Sequence, residues 1–122
     1  MPRLLIVDDE ENVRNALKRW FELGGFEVDL AEDGGVAIER VNERHYDAIT
    51  MDLQMPRMSG TQAIEEIKRI RPDIPVVILT GFHSHPGKVT DSGASKVMTK
   101  PVSLRDLEGA IRSLIEAAAH ES

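Results

Sequence analysis

The chain has 122 residues, 15 Lys+Arg against 21 Asp+Glu, a formal net charge of −6, 41% hydrophobic residues and no cysteine. That is the length of one domain, 1–122, with enough apolar content for a core; the lack of cysteine excludes disulfides, thiolate nucleophiles and Cys-ligated zinc. The acidic balance argues against direct contact with nucleic acid, no apolar run is long enough to cross a bilayer, and Met1-Pro2-Arg3 leaves no room for a signal peptide, so a cytoplasmic location is expected.

In chain order, Leu4-Leu5-Ile6-Val7 is apolar throughout, as in a strand covered on both faces of a parallel sheet. Val13, Ala16, Leu17, Trp20 and Phe21 then share one helical face, which Gly24-Gly25 closes. Residues 26–30 alternate Phe26, Val28, Leu30, which suits an edge strand. Asp33 can cap a helix carrying Val36, Ala37, Ile38 and Val41. Residues 48–51 form a third strand candidate. Ser59-Gly60-Thr61-Gln62 reads as the start of a helix with Ala63, Ile64, Ile67 and Ile70 inward, ended by Pro72. On its outer face Glu65 and Arg69 stand at i,i+4. Val76-Val77-Ile78-Leu79 is a second fully apolar strand, and residues 96–98 a weaker one. Ser103 can cap the last helix, whose stripe is Leu107, Ala110, Ile111, Leu114 and Ile115. Five βα units in succession imply a doubly wound α/β fold with right-handed crossovers. The unit at 81–92 is abnormal: Pro86, Gly87 and an almost absent apolar stripe predict a short or irregular fourth helix.

In open α/β sheets ligands sit outside the carboxyl ends of the strands. Here those ends carry Asp8-Asp9, Asp52, Thr80 and Lys100-Pro101, and in the order 2-1-3-4-5 strands 1 and 3 are neighbours. Three carboxylates in one pocket raise one another's pKa unless something neutralises them, and Mg²⁺ is the hard cation that takes a few carboxylates while keeping open positions. Thr80 can donate to a phosphoryl oxygen and Lys100 can neutralise its charge. This is equipment for phosphoryl transfer, with Asp52 the central carboxylate and candidate nucleophile. Each acid alone could be a turn residue; five such groups at the strand ends in this order are specific. No G-x-G-x-x-G follows the first strand, which disfavours nucleotide or flavin binding.

By the pieces Leu4 to Glu10, Asp47 to Pro56 with Ser59-Gly60, Val76 to Gly81, Gly93-Ala94-Ser95 and Lys100-Pro101, the sequence resembles the receiver domain of two-component response regulators over nearly its whole length. The resemblance implies a flavodoxin-like (βα)5 fold and phosphorylation of Asp52 by a sensor histidine kinase or histidine phosphotransfer protein. It implies Mg²⁺ bound by Asp9 directly, by Asp8 largely through water, by Asp52 and by the Gln54 backbone carbonyl. Thr80 and Lys100 are then expected to contact the phosphoryl group, with a cis Lys100-Pro101 peptide. Such a domain is not an enzyme for other substrates: it catalyses only its own phosphorylation and dephosphorylation and switches contacts with a downstream protein. No membrane contact is expected, and the chain is expected to be a monomer or weak homodimer.

The sequence departs from the family in three places. Val97 stands where an aromatic usually relays the state of Thr80, the Thr80 to Lys100 interval is shorter than usual within 81–92, and Phe82 and Gln54 occupy the positions that tune hydrolysis. Val97 and the shortened crossover suggest an alternative, a receiver-like interaction module that works without phosphorylation. An aspartyl-nucleophile phosphatase is disfavoured because Gln54 cannot act as its general acid. His83, His85 and Asp91 could bind a transition metal but read more simply as solvated loop. A bulky apolar Phe82 would obstruct the attacking water and give a long-lived aspartyl phosphate. Phe82→Glu is therefore expected to shorten the phosphoryl lifetime, measured by the decay of the phosphorylated mass after donor removal; an unchanged lifetime would refute the assignment.

Overall fold

The computed structural model describes residues 1–53, 60–81 and 93–120. Residues 82–92 of the irregular unit expected at 81–92, with Phe82, and also Gln54 and the Ser59 cap, lie outside the described residues. Five parallel strands form one sheet in the order β2-β1-β3-β4-β5: β1 Arg3–Val7, β2 Glu27–Ala31, β3 Ala48–Asp52, β4 Val76–Thr80 and β5 Lys96–Thr99. Four helices stand among the described residues: α1 Glu11–Leu23, α2 Gly34–Glu43, α3 Gly60–Ile70 and a last helix, here α4, Leu104–His120. This is the expected flavodoxin-like arrangement.

The sheet separates two apolar layers because successive strand residues point to opposite faces. Leu5, Val7, Ile49, Met51, Val76 and Ile78 pack with Ala37, Val41, Ala63, Ile64 and Ile67 of α2 and α3. Leu4, Ile6, Ala48, Val77 and Leu79 pack with Leu17, Phe21, Leu107 and Ile111 of α1 and α4. The central strands β1, β3 and β4 are buried at nearly every position, whereas β2 and β5 are partly exposed, which is why both fully apolar runs, in β1 and β4, fall among the central strands.

Local signals match the observed ends. Asp33 accepts from the Val36 N–H at 2.9 Å, and Ser103 accepts from the Asp106 N–H at 2.9 Å. Gly25 turns the chain at φ +95°, a conformation that suits glycine. Three expectations shift. Phe26 precedes β2 and packs edge-on against Phe21, with ring centroids 5.1 Å apart. Ala16 is exposed, since α1 and α4 do not close over it. Arg69 pairs with Glu66, the other neighbour on its helix face, rather than with Glu65.

One core polar atom has no partner among the described residues. Thr50, 1% exposed, lies between Ile6 and Val77 in register, and its Oγ1 makes no hydrogen bond. A buried unpaired hydroxyl costs stability that a methyl of the same shape does not. Thr50→Val is thus expected to stabilise the fold by about 1 kcal/mol, read as a higher urea midpoint at unchanged slope; a lower midpoint would contradict this.

Candidate functional site

The strand registers carry the chemistry to one rim. Val7 pairs with Met51, so the next residues, Asp8 and Asp52, emerge side by side at the junction where β1 leads outward to β2 and β3 leads the other way. Asp52 pairs with Leu79, one place before Thr80, and Thr80 pairs with Thr99, one place before Lys100. The Lys100 backbone N–H donates to the Thr80 carbonyl at 2.7 Å, extending this ladder into the loop, and the Lys100-Pro101 peptide is cis as expected.

Oxygens of Asp8, Asp9 and Asp52 lie within 4.8 Å of one another. Asp8 and Asp52 are buried and Asp9 is exposed. Lys100 Nζ stands 3.1 Å from Asp52 Oδ2 while its side chain stays 37% exposed, so the ammonium neutralises the buried acid yet meets solvent. Thr80, buried at its strand end, donates its hydroxyl to the Gly81 carbonyl at 3.2 Å. Five sequence-predicted residues are therefore brought to one rim. Val97 pairs with Ile78 in β5 and packs half-buried against the α2/α3 layer.

Asp8 is tightly constrained. Its Oδ1 accepts from the Glu10 N–H at 2.9 Å, and its Oδ2 is buried with no hydrogen bond among the described residues. Burial pushes its carboxyl above the ordinary 3.8; the Glu10 N–H opposes this, Asp52 adds to it, Lys100 opposes it and Asp9 adds again. Folding thus favours the protonated form. That contribution is fully present below the unfolded pKa and is lost as pH rises through the raised one, so at neutral pH the carboxylate is a burden. An orphaned buried carboxylate oxygen beside two further acids suits a hard divalent cation.

Two contacts escaped the sequence reading. Gly60 opens α3 so close to β3 that an added Cβ would meet Leu53 Cδ2 at 2.9 Å and the Asp52 carbonyl at 3.0 Å, so a side chain there would displace the Asp52 backbone. Arg14 donates from Nη1 to the Asp8 carbonyl at 2.7 Å. Its signal was a cation in the first turn of a helix, where the macrodipole disfavours it unless a local acceptor holds it. Beside the rim an apolar groove of about 690 Å³ runs between α1 and the start of α4, lined by Val13, Ala16, Leu79, Val102 and Leu104 and reaching Lys100.

A family model for the response regulator receiver domain matches residues 4–112. Response regulator MprA of Mycobacterium leprae (strain TN) is 36% identical over 115 residues, 93% of this chain and 50% of that protein. The chain spans about half the length of the curated relatives it matches. The response regulator receiver domain protein (CheY-like) from Methanospirillum hungatei JF-1 superposes with a TM-score of 0.95 at 28% identity, over 100% of this chain and 99% of that one. Response regulator protein TrrA from Thermotoga maritima, in complex with Mg(2+)-BeF, gives a TM-score of 0.86 at 30% identity over 93% and 99%.

The burden on Asp8 is testable. In magnesium-free buffer at neutral pH, Asp8→Asn is expected to raise Tm by about 3–5 °C, equivalent to about 1 kcal/mol, and the gain should vanish near pH 4. A fall in Tm at neutral pH would refute it.

Proposed function

This chain belongs to the response regulator receiver domain family of two-component systems, and from that premise we propose that Asp52 is its phosphoacceptor. The donor is a phosphohistidine on a sensor histidine kinase or a histidine phosphotransfer protein. The observation that carries this reading is the Asp8–Asp9–Asp52 cluster with Lys100 Nζ 3.1 Å from Asp52 Oδ2. A set of crowded acids with one ammonium and one hydroxyl suits the charge of a transferring phosphoryl group better than it suits the resting fold.

The Asp52 carboxylate is the nucleophile. Its oxygen forms a bond to phosphorus while the phosphorus–nitrogen bond of the donor breaks and the imidazole leaves with that electron pair. Lys100 exchanges the carboxylate for a phosphoryl oxygen, and the Thr80 hydroxyl leaves the Gly81 carbonyl to donate to another. Asp8, Asp9 and Asp52, with the Gln54 carbonyl that the resemblance adds, would hold Mg²⁺, whose charge offsets the carboxylates and the phosphoryl oxygens. Water then removes the phosphoryl group at a rate that Phe82 and Gln54 tune, and the chain's proposed chemistry is its own phosphorylation and dephosphorylation. The groove beside Lys100 offers a protein donor an apolar surface next to the nucleophile.

Phosphorylation shifts a population because Lys100 and Thr80 bond differently in the two states. A downstream protein reads the shift, and Val97, lacking an aromatic ring, passes it through backbone and packing. A cytoplasmic location goes with this reading; among the described residues no helix is long and apolar enough to cross a membrane.

Incubation with acetyl phosphate and Mg²⁺ should add the mass of one phosphoryl group to the parent and none to Asp52→Asn, and chelation should abolish it. Lys100→Ala should slow the gain by at least about 10²-fold, as loss of a preorganised charge contact does elsewhere. No mass gain in the parent would return the domain to the reading of a phosphorylation-independent interaction module.

A further inference from the structure

We propose that Arg14 is a positioning residue of the acidic pocket: by holding the Asp8 carbonyl it fixes how the Asp8 carboxylate is presented and so sets the affinity for a divalent cation. The inference rests on the reading of the pocket as a cation site.

The turn from β1 into α1 consists of Asp8, Asp9 and Glu10. Its helix start lacks a side-chain cap, since Glu10 makes no capping hydrogen bond. The turn is held through Asp8 instead. The Asp8 N–H donates to the Ala31 carbonyl at 3.1 Å, anchoring it to the end of β2. Its Oδ1 accepts from the Glu10 N–H at 2.9 Å, and its carbonyl accepts from Arg14 Nη1 at 2.7 Å. Amide, carbonyl and one carboxylate oxygen are thus occupied, and Oδ2 is left buried with acceptor capacity to spare.

The choice of partner is informative. Asp8, Asp9, Glu10 and Glu11 all stand within six residues of Arg14, yet among the described residues the guanidinium forms no ion pair and takes a carbonyl. The carboxylates therefore stay available to a cation while the backbone beneath them is locked. Partners that orient metal ligands in this way typically govern affinity by 10–100-fold.

Charge and position predict opposite signs, which makes the inference testable. Removing a cation near a dication site should tighten binding by Coulomb's law, whereas removing a positioning contact should weaken it. Mg²⁺ affinity is measured by calorimetry, with Mn²⁺ paramagnetic resonance as a second readout, on the parent, Arg14→Gln, Arg14→Lys and Arg19→Gln, the last removing the same charge from an exposed site on the same helix. Arg14→Gln is expected to bind about tenfold more weakly or worse, Arg14→Lys to fall between it and the parent, and Arg19→Gln to match the parent or bind slightly tighter. A folded Arg14→Gln with equal or tighter binding overturns the role. Should Arg14→Gln not fold, Arg14→Lys decides, and parental affinity there overturns it. A parent that takes up no Mg²⁺ overturns the cation reading and this role with it, whereas a binding parent with an unaffected variant overturns the role alone.

Discussion

Two buried carboxylates stand side by side at the carboxyl rim of the sheet, with an exposed third beside them, and much of the local architecture follows from keeping them there. Asp8 cannot escape its neighbour, because the residues before both acids are paired across β1 and β3. Nor can it relax into solvent, being 1% exposed with its amide, carbonyl and one carboxylate oxygen all engaged. Among the described residues, compensation comes from the Glu10 N–H on Asp8 and from Lys100, which faces Asp52 and stays partly solvated. Such an arrangement is a cost to the fold and an opportunity for a ligand: what weakens the resting domain is what a cation or a phosphoryl group can relieve.

The sheet can bear that cost because its two apolar layers are independent of it. The α2/α3 layer and the α1/α4 layer lie on opposite faces of the sheet, and each is built from large fully buried side chains such as Ile64 and Ile67 on one face and Phe21 and Leu107 on the other. On the α1/α4 side a polar clasp adds direction to the packing. Glu108 accepts from the Trp20 indole N–H at 2.9 Å and from Arg112 at 2.7 Å, and Arg112 in turn donates to the Gly24 carbonyl and lies over the Phe26 ring. The clasp holds the end of α1 against the middle of α4. The groove toward the rim is left open, which is why Ala16, placed inward by its spacing, is exposed.

Val97 shows how a departure from the family pattern is absorbed. In β5 it pairs with Ile78 and packs half-buried on the α2/α3 layer. A branched aliphatic there fits a strand without strain. The rim groups next to it, Thr80 and Lys100, are held by the β4–β5 ladder and not by a side chain at this position.

Local signals were enough to read the five strands, the described helices on either side of them and the acids at the strand ends, because apolar runs, 3.6-residue stripes and caps such as Asp33 and Ser103 are local properties of the chain. Asp8, Asp9, Asp52, Thr80 and Lys100 were legible for the same reason: each ends a strand or lies within two residues after one, and in a parallel sheet all such ends face one way. What depended on the tertiary structure were contacts between segments distant in sequence or dependent on angle. These include the approach of Gly60 to the Asp52 carbonyl, the guanidinium of Arg14 on the Asp8 carbonyl, the lack of partners for Thr50 Oγ1 and Asp8 Oδ2 among the described residues, and the open mouth between α1 and α4. Sequence spacing reports which face a residue occupies; how near two backbones come, and which of several possible acceptors a long side chain takes, is decided only when the layers pack.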